Sequence, residues 1–122
     1  MPPDDPAALT RQARRWADAA WVEGRHATAI DILDRAILLH PTCYRLHRKR
    51  GAFLLVCPDP TVRDEEQAFA DLWRACALAG WREDIAGWVI GLLAGNGDTP
   101  QANAIARALA ARGRRPGGDE GA

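Results

Sequence analysis

The sequence predicts an all-α fold, and three observations carry that prediction. Helix starts and stops recur along the whole chain, as in Asp5-Pro6, Pro41-Thr42 and Thr99-Pro100 at starts and Gly24 and Gly80 at stops. Between them, apolar residues return every third or fourth position, the spacing of one helical face. No segment shows the strict apolar–polar alternation of a half-buried strand. Six helices with short connections imply three antiparallel helical hairpins, with a six-helix bundle as the competing arrangement.

Asp5-Pro6 reads as an N-cap followed by proline at the first helical position. Leu9, Ala13, Trp16, Ala17 and Ala20 then mark the apolar side of the first helix, which Gly24 stops. The second helix runs from about His26 to His40, with Ala29, Ile30, Leu33, Ala36 and Ile37 on one stripe, and Pro41 ends it. Thr42 is positioned to cap a third helix reaching about Val56. Cys57-Pro58-Asp59-Pro60 must be a loop, because two prolines break any regular ladder. Thr61 or Asp64 caps a fourth helix bearing Ala68, Phe69, Leu72, Ala75 and Cys76, which Gly80 closes. The fifth helix runs from about Arg82 to Ala94, and Gly95-Asn96-Gly97-Asp98 is a turn. Thr99-Pro100 opens the sixth, which is expected to end before Gly113. Residues 113–122 are rich in glycine, arginine and acids and read as a disordered tail behind a single domain over 1–112.

The 16 basic and 16 acidic residues balance to zero net charge across 122 residues. That argues against nucleic acid as a partner, since its binders carry a basic excess. Arginine dominates the bases, with Lys49 the only lysine, and alanine is abundant; together they point to a GC-rich bacterial gene. The apolar run Ile85 to Gly97 is too short for the roughly 20 residues that span a bilayer. Met1 to Pro6 has neither the basic nor the apolar region of a signal peptide. With three cysteines and no CxxC pair, free thiols and a cytoplasmic setting are expected.

The even helices share a pattern. Ala29-Ile30-x-x-Leu33-x-x-Ala36-Ile37 is followed by Ala68-Phe69-x-x-Leu72-x-x-Ala75-Cys76 and, more weakly, by Ala104-Ile105-x-x-Ala108-x-x-Ala111. Small residues seven apart share a helical face, where a neighbouring helix approaches closely. A first unit from Thr10 to Cys43 carries Ala17, Ala20, Gly24, Ala29, Leu33, Ala36 and Pro41 in order. A second, from Tyr44 to about Gly80, carries Gly51 in the first small position, and a third from Trp81 is degenerate. The sequence thereby resembles the tetratricopeptide repeat (TPR). The resemblance implies a right-handed solenoid of three stacked hairpins whose first helices line a concave groove. Groove positions would then be Arg11, Arg14, Asp18 and Trp21 in the first unit, and Arg45, Arg48, Ala52 and Leu55 in the second.

No catalytic constellation stands out. Serine is absent altogether, and the glycines form neither G-x-x-x-x-G-K nor G-x-G-x-x-G. His40, Cys43 and His47 have the residue types of an open metal site. Pro41 bends the chain between them, however, and no carboxylate adjoins, so packing is the expected role. Cys43, Cys57 and Cys76 are read as structural thiols. Neither a cofactor nor enzymatic activity is expected.

Charge is unevenly placed. No acid lies between Asp34 and Asp59, whereas Arg35, Arg45, Arg48, Lys49 and Arg50 do; Asp59, Asp64, Glu65, Glu66 and Asp71 follow with only Arg63 among them. Mutual compensation between the third and fourth helices is one expectation. The other is an arginine-lined groove that takes an acidic partner segment or a free carboxylate, since guanidinium forks bind carboxylates bidentately. This logic is similar to the carboxylate clamps of TPR co-chaperones, but their asparagines are absent here, so that partner is not carried over. Among five tryptophans, Trp16, Trp73 and Trp88 lie on apolar stripes and are expected in the core, with Trp21 and Trp81 more exposed. The fifth helix is apolar on several sides and needs more cover than the fourth and sixth provide. An alternative interface through Trp81, Trp88 and Leu92 would make the chain a self-associating or docking subunit of an assembly.

Overall fold

The computed structural model describes residues 5–113. They form six helices: α1 Pro6–Val22, α2 His26–Leu39, α3 Tyr44–Val56, α4 Glu65–Leu78, α5 Glu83–Gly95 and α6 Thr99–Gly113. No strand occurs among the described residues, and no helix there is long and apolar enough to cross a membrane. The tail expected over 113–122 lies outside the described residues apart from Gly113, which still belongs to α6.

Most boundaries have the chemistry the sequence implies. Asp5 caps α1 by accepting from the Ala7 amide at 3.0 Å, with Pro6 at the first position. Asp64, rather than Thr61, caps α4: its carboxylate accepts from the Gln67 amide at 3.0 Å. Thr61 instead donates through Oγ1 to Asp59 at 2.7 Å, closing the loop before α4. At α3 the N-cap is Cys43, one residue beyond the expected Thr42, and its side chain makes no capping hydrogen bond.

By its internal contacts the chain forms two compact units, Met1–Leu78 and Ala79–Ala122. Near the start of the second unit Gly80 and Trp81 are both in the left-handed region, with φ of 71° and 58°. Glycine meets no Cβ penalty there, whereas an aromatic residue does.

In the first unit α1 packs on α2, α3 on α4, and α2 and α1 on α3. Ala17 and Ala20 of α1 meet Ala29, Leu33 and Ala36 of α2 and Leu46 of α3 in one buried cluster. Alanines let these helix axes approach closely, which is why the seven-residue small pattern reads as a contact. The second copy of the pattern behaves alike, with Ala68, Leu72 and Ala75 fully buried. Gly51 shows how tight that contact is: a Cβ there would lie 2.9 Å from Leu72 Cγ and 3.0 Å from the Ala68 carbonyl oxygen. In the second unit α5 packs on α6, burying Ile85, Ala86, Val89 and Leu93 together with Ala102 and Ile105. Here the third copy of the pattern departs from the first two, since Ala111 is exposed.

Candidate functional site: an arginine cluster on α1 and α3

The helical period places Arg11 and Arg14 one turn apart on α1, and Arg45 and Arg48 one turn apart on α3. Tyr44, at the first position of α3, is a platform for the second pair. The Arg45 and Arg48 guanidinium carbons lie 5.1 Å and 5.7 Å from its ring centroid. Arg14 comes from the other helix, and its Nε is buried with no hydrogen-bond partner among the described residues.

The electrostatics join the two pairs. Burial is the main cause holding the Arg14 pKa below its ordinary value; Cys43 opposes it, and repulsion from Arg45, Arg48 and Arg11 adds smaller contributions in the same direction as burial. All four guanidinium groups therefore share one field. Among the described residues Arg11, Arg14 and Arg45 take part in no ion pair. The first turn of α3 adds to the same sign. It holds no acidic residue, and the positive end of the helix dipole has no capping side chain from Cys43.

Compensation between the basic and acidic runs does occur, but elsewhere. Arg50 donates through Nε and one terminal nitrogen to both oxygens of Asp71, each at 2.8 Å, and through the other terminal nitrogen to Asp34 at 2.8 Å. Gln67 adds a 3.0 Å hydrogen bond to Asp71, whose side chain is only 3 % exposed. Paired this way, Arg50 has its pKa raised above the ordinary arginine value, chiefly by the hydrogen bonds to Asp71. Lys49 pairs with Asp18 of α1 at 2.8 Å. Asp64, Glu65 and Glu66 form no ion pair among the described residues. The Arg50 network borders an open cavity of about 360 Å³ lined also by Ile30, Leu54 and Val62. Its cation is already saturated by carboxylates, so the network ties α2, α3 and α4 together rather than awaiting a ligand.

Other candidate residues fall differently. Leu55 is 2 % exposed and belongs to the core, not to the arginine face. It follows Arg48 by seven residues, which turns it about 20° toward the buried side of α3. Trp21 is half-buried, stacked on Phe53 at 4.0 Å and edge-on to His26 at 4.5 Å, so its ring fills space between helices. Trp16, expected in the core, is 58 % exposed. The buried line of α1 is Thr10, Ala17 and Ala20, with Ala13 half-buried beside them, and Trp16 lies one residue off it beside Leu9. Trp88, also expected inside, is 45 % exposed. Trp81, expected outside, is half-buried with Arg112 5.5 Å above its ring, and Leu92 is half-buried.

His40, Cys43 and His47 are not drawn together as ligands, and no group of three or more metal-ligating side chains occurs among the described residues. His47 is buried and donates from Nε2 to the Pro41 carbonyl at 2.8 Å, securing the turn before α3. Cys57 and Cys76 are fully buried, and burial pushes the Cys76 thiol up to about 11; Cys43 is half-buried. Sequence reasoning missed Tyr44 as a platform, whereas the Arg50–Asp71 pair is an instance of the compensation expected between the third and fourth helices. The platform was signalled by the i, i+4 spacing of Tyr44 and Arg48. The chain matches no known protein-family model, and no curated protein shows significant sequence similarity to it.

Proposed function

We propose that this protein is a small, non-catalytic interaction adaptor of the bacterial cytoplasm, built on TPR-like stacked hairpins. It takes an acidic segment of another protein along the face shared by α1 and α3. The observation that carries this reading is Arg14, a guanidinium with a buried, unpartnered Nε among three further arginines. A buried donor without an acceptor is costly in the free protein, and an arriving carboxylate removes that cost. Each charge-assisted contact made there contributes about 1–3 kcal/mol. The solenoid arrangement would extend the face into a concave groove.

The test is anisotropy of a fluorescein-labelled glutamate-rich peptide ending in a free carboxylate, titrated with the full chain. Binding should weaken as salt rises. Arg14→Ala combined with Arg48→Ala should weaken it tenfold or more with helical content unchanged by circular dichroism. Unchanged affinity in the double variant would overturn the reading.

A second reading has one observation in its favour. Gly87, Gly91 and Gly95 lie four apart on α5, are exposed, and have nothing within 4 Å of an added Cβ. Gly87 and Gly91 are interior to α5, where glycine costs roughly 1 kcal/mol relative to alanine, and Gly95 ends the helix; no neighbouring atom crowds any of them. Beside exposed Trp88 they form a flat face that suits a closely packed helix from another copy or subunit. A monomer in light scattering at high micromolar concentration would count against self-association by this face.

A further inference from the structure

Resting on the adaptor reading above, we infer that the group this arginine cluster is shaped to take is a phosphoryl dianion on a partner side chain, so that phosphorylation of the partner turns binding on. The first argument is stoichiometry, and the same chain supplies the reference. Where this protein satisfies a buried carboxylate, Asp71, it uses a single guanidinium and one amide. On the α1–α3 face, instead, the buried Arg14 feels the like charges of Arg45, Arg48 and Arg11, two of which Tyr44 gathers on one ring. One carboxylate would engage one fork and leave most of that repulsion standing. A phosphomonoester brings nearly two negative charges and three acceptor oxygens, and so can accept from several forks at once.

The second argument is placement. Arg45 lies in the first turn of α3, beside the N-terminus where Cys43 leaves the leading amides without a side-chain cap. Backbone amides at a helix N-terminus and guanidinium groups around them are complementary to a tetrahedral anion. Tyr44 holds Arg45 and Arg48 on one ring, which limits the freedom their side chains lose on binding. The surroundings argue against a phosphodiester chain. Net charge is zero and the basic face is local, so successive phosphates of a nucleic acid would find no continuing track.

The experiment is calorimetric titration of the full chain with four probes: a phosphoserine pentapeptide flanked by glycines, its glutamate counterpart, inorganic phosphate, and a short oligothymidylate. The phosphoserine peptide should bind at least tenfold more tightly than the glutamate peptide. Arg14→Lys, which keeps the charge and loses the fork, should erase most of that preference while the helical spectrum stays unchanged. Equal affinity for the two peptides would overturn the phosphoryl inference and leave the acidic-segment reading standing. No binding of either peptide would overturn both. Inorganic phosphate binding as tightly as the phosphopeptide would overturn the protein-borne source, and oligothymidylate binding as tightly would overturn the monoester preference. Full retention of the preference in Arg14→Lys would remove Arg14 from the site.

Discussion

Replacing Gly51 by alanine should destabilise the first unit, although the same change elsewhere in a helix is expected to stabilise. A Cβ at this position would lie 2.9 Å from Leu72 Cγ and 3.0 Å from both the Ala68 carbonyl oxygen and Asp71 Cβ. Ordinary contact begins at 3.4 Å, so α3 and α4 must separate by about 0.5 Å. Rotating a side chain cannot relieve this, because one of the three atoms is backbone and another is the Cβ of Asp71. Moving Asp71 also loosens its two 2.8 Å hydrogen bonds from Arg50. Alanine gains about 1 kcal/mol in helix propensity over glycine. Overpacking costs roughly 1–3 kcal/mol, and weakened charge-assisted hydrogen bonds add about 1.5 kcal/mol. The net loss should be about 2 kcal/mol, which lowers the urea midpoint by about 1 M at an ordinary m-value. Gly91→Ala is the matched control, because nothing lies within 4 Å of its Cβ, and it should gain roughly 0.5–1 kcal/mol. Urea unfolding followed by far-ultraviolet circular dichroism measures both. If Gly51→Ala is as stable as the parent, the close α3–α4 crossing is wrong.

Three further outcomes follow. Asp71→Ala should cost about 3 kcal/mol, because it strips the bidentate partner from a mostly buried Arg50, and Arg50→Met in the same chain should restore much of the loss; a single variant as stable as the parent would contradict the network. Cys76 gives a pH dependence with a defined sign. Its thiol ionises from its ordinary value near 9 in the unfolded chain but only near about 11 when folded, so stability should fall as pH rises from 9 to 11. The loss should approach about 2 kcal/mol, with a flat profile in Cys76→Val. At neutral pH a thiol reagent should modify Cys43 rapidly and Cys57 and Cys76 only on unfolding, and three equally fast thiols would contradict their burial.

The helices were legible because their signals are local. Caps, prolines and the alanine stripes of α2 and α4 each act within a turn or two, and they place five of the six N-termini within one residue of the structure. The arginine pairs were legible for the same reason, since one-turn spacing fixes a shared face. What escaped was decided across helices. Compensation between α3 and α4 was expected, but which arginine would pair with Asp71 was not, because no local pattern separates Arg50 from Arg48 two residues earlier. Trp16 and Leu55 sit at the edges of apolar stripes, and only the width of the neighbouring contact decides their side. On α1 alanines narrow that contact and leave Trp16 outside; on α3 the buried arc is wide enough to take in Leu55. Trp81, shortly after the division at residue 79, adopts a positive φ that its side chain disfavours and the sequence does not announce.

The central claim is that the α1–α3 arginines are held against their own repulsion for a partner's sake, and Arg14→Met tests it most directly. Methionine keeps an unbranched apolar stem and removes the charge. Because burial and three like charges disfavour the folded, charged Arg14, the variant should be more stable than the parent by roughly 0.5–1 kcal/mol at low salt. That gain should shrink as salt screens the parent's repulsion, and affinity for the acidic peptide should fall at least tenfold. A variant less stable than the parent, with its affinity intact, would show that Arg14 serves the fold and would contradict the account.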